Sequence, residues 1–332
     1  PAIIALLLAS ALAALVVVGS APFAVRVLRC WDLSSGAQAQ LVLERRTYLV
    51  ATLLKIVMAA ELAAMVLFVF NADRMAALFT GAMCAVGTLS VNGFGFPALG
   101  LKLAVFFAAA GWLVLDHLDC QGWDYPLIRV KYAALLAMAP LLMASAGVQA
   151  AYFLGLRADV ITSCCSTLFS GGGVTVTRNA LAALPHGWAL ALLVAALAGV
   201  GASGGAFLRW GRGAPQHALL SALAFGVGLA AVVSTISVYV YELPHHHCPF
   251  CLLKREYGHV GYLLYGPLFL GTACGLGTAV AAAGRYRPSL STAAPALARR
   301  LTLWSMGGFA VFAVMCAWLV ARSHLVLFEV LP

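Results

Sequence analysis

Charge is what this sequence has least of. Only 9% of its 332 residues are Asp, Glu, Lys or Arg, while 63% are hydrophobic. A soluble domain carries roughly 25–35% charged residues on its surface, so a soluble globular protein is excluded. Acid is scarcer than base, 11 residues against 20. The basic residues are scattered over the ends of apolar runs, which removes nucleic acid as a partner and leaves membrane orientation as their task. No G-x-x-x-x-G-K-[ST] run occurs, which excludes P-loop nucleotide hydrolysis. No C-x-x-C-H occurs, which excludes covalent c-type haem. The chain also lacks histidines deep inside its apolar runs, as a membrane b-type haem would need. It has no long polar linker and no evident internal repeat, so one integral membrane domain, 1–332, is expected.

What it has is length in apolar runs. A helix crosses the ~30 Å hydrocarbon layer with about 20 apolar residues, and about eight such runs fall near 2–28, 47–70, 98–116, 130–156, 187–208, 216–241, 258–284 and 302–324. The expected fold is an all-α polytopic bundle of about eight transmembrane helices, with the lipid bilayer as its first partner. Residues 71–97, Gly-rich and broken by Asn92 and Pro97, read as a re-entrant or half-helix segment. The first run has no basic stretch before it and is long for a signal peptide, so it reads as a retained span. Alternating the spans gathers Arg26, Arg29, Arg45, Arg46, Arg129, Lys131, Arg209, Arg212, Arg285, Arg287, Arg299 and Arg300 on one face. The positive-inside rule makes that face cytoplasmic, in a bacterial inner membrane, with both termini periplasmic.

This orientation sorts the 9 cysteines. Cys30 and Cys120 fall at cytoplasmic ends, and Cys274 and Cys316 lie inside spans as packing groups. Cys84, Cys164, Cys165, Cys248 and Cys251 all map to the outer side. In an oxidising compartment thiols persist when paired, metal-bound or cycled by a partner, so one shared site is expected. Its richest stretch is Tyr241–Tyr262, YELPHHHCPFCLLKREYGHVGY. With Pro249 as first residue of the seventh span, Cys248 would sit at the helix N-cap, where the dipole favours a thiolate. Cys251 would be its resolving partner. Glu242, Tyr241, Tyr257 and His259 flank the pair and are candidates to tune it.

Cys248-Pro249-Phe250-Cys251 resembles the active sites of glutaredoxins and, in a membrane, the C-x-x-C of vitamin K epoxide reductases and the quinone-linked disulfide-forming enzymes. The resemblance covers those four residues and their place at the outer end of a span. It implies a compact bundle of about four helices, half of what is read here. It also implies a second cysteine pair exchanging with a partner, for which Cys164 with Cys165, or Cys84 with one of them, are candidates. The run His245-His246-His247-Cys248-Pro249 also resembles the Asp-His-His-Cys motif of protein palmitoyltransferases, with His245 in place of Asp and no cysteine-rich zinc scaffold.

Metal ligation is the rival chemistry. His245, His246 and His247 followed by Cys248 and Cys251 offer imidazole and thiolate to copper or zinc, with Cys84, Cys164 and Cys165 to complete a soft site. Consecutive histidines cannot all face one ion. Met75 and Met83 lie close in sequence.

Within the spans, Glu61 sits near the centre of the second, and a central ionisable group defaults to a functional role. Lys102 is its expected counter-ion, and both are candidates for quinone binding or proton relay. Lys55, six residues before Glu61, is expected to reach the cytoplasmic surface. Trp112, Trp123, Trp188, Trp304 and Trp318 read as interfacial anchors. Gly87, Gly93, Gly95 and the GASGG stretch at 201–205 read as close-packing faces.

Three functions fit this reading. The leading one is a thiol:disulfide oxidoreductase facing the periplasm, passing electrons from a cysteine relay to a quinone or a thioredoxin-like partner. The second is a protein that binds or transports copper or another soft metal, exchanging it with a metallochaperone. The third is an integral subunit of a larger membrane complex.

Overall fold

The computed structural model describes residues 2–32, 37–157, 160, 185–244 and 246–325. Eight helices are long and apolar enough to cross a membrane, and no strand occurs among the described residues. This is an all-α, multi-pass membrane protein. The spans are α1 (Ala2–Cys30), α2 (Gln38–Met75), α4 (Gly95–Asp119), α5 (Ile128–Leu154), α6 (His186–Trp210), α7 (Ala214–Tyr241), α8 (Val260–Ala283) and α9 (Ala293–Arg322). A short α3 (Ala85–Leu89) lies between α2 and α4. Their cause is the one read from the sequence: hydrocarbon offers backbone N–H and C=O no partner, so each apolar run closes its bonds internally as a helix. Pro22, Pro140 and Pro267 lie inside helices, as membrane spans tolerate.

The segment 71–97 does not cross. After α2 the chain makes a 3₁₀ turn, Ala76–Leu78, then enters α3, all five residues of which are buried. At 1.5 Å per residue α3 rises only about 7.5 Å.

The described chain forms two compact units. Unit 1 comprises 1–71, 92–156 and 280–298. Its core joins Val17, Leu54, Met58, Val105, Trp112, Leu135 and Met138. Trp112 departs from its expected place as an interfacial anchor: it is 2% exposed and its Nε1–H donates to the Lys131 carbonyl at 3.2 Å. Trp123, Trp188, Trp304 and Trp318 are exposed.

Lys131, read as a basic span-end residue, instead belongs to a buried ion network, which Lys55 joins while its side chain, as expected, still reaches the surface at 50% exposure. Lys131 Nζ lies 3.2 Å from Asp116 Oδ1 and 2.8 Å from Asp119 Oδ2, and Lys55 Nζ lies 2.9 Å from Asp116 Oδ2. Asp119 also accepts the Leu127 N–H at 2.9 Å. The i, i+3 spacing of Asp116 and Asp119 puts both carboxylates on one face of α4. Lys131 offsets both from within the protein, and Lys55 offsets Asp116 from its half-exposed position.

Unit 2 comprises 72–91, 157–279 and 299–332. α8 and α9 meet there through glycine: a Cβ on Gly308 would stand 2.8 Å from the Gly271 Cα and the Pro267 carbonyl oxygen. Of the glycines in the GASGG stretch, Gly204 faces Met306 and His217, whereas a Cβ on Gly201 or Gly205 would meet nothing within 4 Å among the described residues. Gly308→Val should therefore cost about 1–3 kcal/mol by overpacking. Thermal unfolding in detergent should show this loss and leave Gly201→Ala at the wild-type midpoint.

Candidate functional site

The loop after α7 does not start the next span as the sequence suggested. Pro249 and Phe250 form a turn, followed by 3₁₀ turns at Cys251–Leu253 and Arg255–Tyr257, and α8 begins only at Val260. Gly258 at φ 65° and His259 at φ 55° take the left-handed conformation that interrupts helix propagation. Cys248 is thus not the N-cap of a span. The cysteine at a helix start is Cys84, N-cap of α3, whose carbonyl accepts the Gly87 N–H at 3.0 Å.

These two loops carry the thiols to one point. The sulfurs of Cys84, Cys248 and Cys251 all lie within 4.8 Å of one another. Cys84 Sγ and Cys248 Sγ are 3.5 Å apart, beyond the roughly 2.05 Å of a disulfide. All three are buried, at 0%, 0% and 5% exposure.

Side chains satisfy the loop backbone and hold it. Tyr241 Oη–H donates to the Cys248 carbonyl at 2.6 Å, and Tyr265 Oη–H to the Pro249 carbonyl at 2.8 Å. His259 Nδ1 meets the Leu253 carbonyl at 2.7 Å, and His247 Nδ1 meets the Val233 carbonyl at 3.2 Å; as carbonyls only accept, both rings carry their proton on Nδ1. The Val233 carbonyl lies in a π-helical turn of α7, Val232–Ile236. Such a turn shifts the i→i+4 ladder, and here this carbonyl accepts both His247 and the Ser237 hydroxyl. Glu242 accepts the His324 N–H at 2.9 Å, tying the end of α9 to that of α7. Burial, then the neighbouring Cys251 and Glu256, raises the pKa of the Tyr257 phenol, so Tyr257 stays neutral beside the site. Tyr241→Phe should strand the buried Cys248 carbonyl at about 1–3 kcal/mol, read as faster labelling of Cys248 by a small thiol reagent in the folded protein.

The histidines go elsewhere. His247 stacks on His186, ring centroids 6.5 Å apart, and His246 packs against Tyr241. Successive residues of an irregular loop point in different directions, and neither joins the group of three sulfurs. His245, Cys164 and Cys165 lie outside the described residues. Glu61 and Lys102, in unit 1, pair at 2.9 Å. The Asp116–Asp119–Lys131–Lys55 network was missed in the sequence, although two acids one turn apart inside a span were the signal for it.

Chemically, three thiols this close cannot all ionise alone. Burial disfavours each thiolate and each negative charge disfavours the next. The cluster has three stable conditions: protonated, two sulfurs joined as a disulfide, or all three on a cation. Compared with family models, curated proteins and solved structures, the chain matches none.

Proposed function

We propose that this protein binds a soft metal ion of the copper(I) class through Cys84, Cys248 and Cys251, on the periplasmic side of a bacterial inner membrane. The carrying observation is the convergence of three buried sulfurs within 4.8 Å from loops 164 residues apart. Thiolates on an ion at about 2.3 Å stand just under about 4 Å from each other, so the observed spacing needs little adjustment. Soft thiolates select copper(I), zinc and iron–sulfur clusters. Zinc in structural sites takes four ligands, whereas three sulfurs, the number found among the described residues, suit a monovalent d¹⁰ ion. Lys254 and Arg255, in the same loop, offset part of the negative charge of the loaded site. Delivery by a periplasmic metallochaperone is the partner this reading implies. The positive-inside rule supports the orientation, with both termini periplasmic.

A second reading is favoured by one distance. At 3.5 Å, Cys84 and Cys248 are close enough to form a disulfide, giving two electrons and two protons to a quinone-class acceptor, with Cys251 to resolve it. This is the chemistry of the enzymes whose C-x-x-C the Cys248–Cys251 run resembles. Exchange with a thioredoxin-like protein needs an approach to the sulfur, and the burial of Cys84 and Cys248 restricts that approach just as it restricts ligand exchange with a metallochaperone.

Anaerobic titration of the purified full chain with copper(I) against a chromophoric chelator tests the two. The metal reading expects one ion per chain, bound in competition with the chelator, with loss of three alkylatable thiols. No binding, together with cysteines that oxidise when a quinone is added, would replace it with the second.

A further inference from the structure

Unit 1 holds a buried polar group that the thiol site does not use. Glu61 and Lys102 are 3% and 1% exposed. Lys102 Nζ donates to Glu61 Oε2 and to Ser10 Oγ, each at 2.9 Å. Gln149 joins them, its Nε2 donating to the Leu6 carbonyl at 3.2 Å and to Ser10 Oγ at 3.1 Å. The Leu6 carbonyl decides which end of the amide is which, since exchanging the two would set acceptor against acceptor. Gln149 Oε1 is left buried with no donor among the described residues. An orphaned acceptor is costly, and a pair that stayed ionised for good would give it no purpose.

We propose that Glu61, Lys102, Ser10 and Gln149 form a proton-binding site in the membrane interior, where Glu61 takes up a proton as Lys102 moves its hydrogen bond to Gln149 Oε1. Ser10 Oγ, shared by the ammonium and the amide, is the pivot. The carboxylate becomes a carboxylic acid, one positive charge is gained, and the ammonium keeps two acceptors. Without Gln149 the same protonation would strand a buried cation, a costly state.

The surroundings leave few competitors. From α1, Ser10 accepts from Lys102, and the helix's arginines Arg26 and Arg29 lie near its other end. α4 contributes Lys102, and its acids, Asp116 and Asp119, are held by Lys131 and Lys55 at the far end. α5 contributes Gln149, with Tyr152 one turn on and Lys131 at the opposite end, and α2 itself adds Lys55. Toward Lys131 the apolar residues Leu135, Met138 and Leu142 fill the core. On the other side α5 ends at Leu154, five residues or about 8 Å beyond Gln149.

Infrared difference spectroscopy of the full chain in nanodiscs, between alkaline and acidic pH, reads the site directly. Over the bands of the chain's other acids, the wild type should show an added carboxylic C=O component while the helical circular dichroism is unchanged, and that component should be missing from Glu61→Gln and from the Glu61→Gln, Lys102→Met double variant, which removes both charges at once. Gln149→Leu removes the alternative acceptor and so disfavours the protonated form. The band's midpoint should then move to lower pH, at least about tenfold in proton concentration. A band that appears only as the helices unfold, that persists in the double variant, or whose midpoint ignores Gln149→Leu would overturn the proposal.

Discussion

Cys84→Ser is expected to weaken copper(I) binding at least about a hundredfold, beyond the 10–100-fold cost of losing a mere outer-shell partner, while leaving the fold intact. The residue is the N-cap of α3 and makes no side-chain capping bond there. Serine is among the preferred N-cap residues, so the substitution serves the helix at least as well as cysteine. What it removes is the third sulfur: Cys248 and Cys251 remain, but a hard hydroxyl replaces a soft thiolate. Competition titration measures the loss. Cys316→Ser, which changes a buried cysteine outside the cluster, should bind like wild type. Equal affinity in Cys84→Ser would mean that the C-P-F-C pair acts without its distant partner.

The second large effect concerns stability. Lys131→Met should destabilise the protein by about 3–5 kcal/mol, the cost of breaking a buried ion pair from one side. Asp116 and Asp119 are both fully buried, and Lys131 is the cation that touches both. Without it Asp119 keeps, among the described residues, only the Leu127 N–H, and Lys55 must serve Asp116 alone. Lys55 has a side chain 50% exposed, so Lys55→Met should cost no more than about 1 kcal/mol. The contrast, read by thermal or chemical unfolding in detergent, tests whether burial or charge count governs the network. Similar losses for both variants would contradict the account.

The spans were legible because hydrocarbon imposes a length and a composition that few other structures satisfy. The Glu61–Lys102 pair was legible because two opposite charges inside apolar runs have few partners but each other. The convergence of Cys84 on Cys248 and Cys251 was partly legible, since topology alone put all three on one face. What the sequence hid was local. The span after C-P-F-C starts late because Gly258 and His259 adopt positive φ, and a proline at a plausible first helical position concealed that. Lys131 looked like a span-end residue because the acids that hold it stand on another helix. Trp112 looked like an anchor because a tryptophan near a span end usually is one, and here the Lys131 carbonyl offered its N–H a buried partner. The choice of Gly204 over Gly201 and Gly205 depends on where Met306 arrives, which no local pattern encodes.

X-ray absorption at the copper edge, on the full chain loaded with one equivalent of copper(I) under anaerobic conditions, asks the central question most directly. The account predicts an edge typical of three-coordinate copper(I) and a first shell of three sulfurs at about 2.3 Å. A shell dominated by nitrogen or oxygen, or one of two sulfurs that is unchanged in Cys84→Ser, would contradict it.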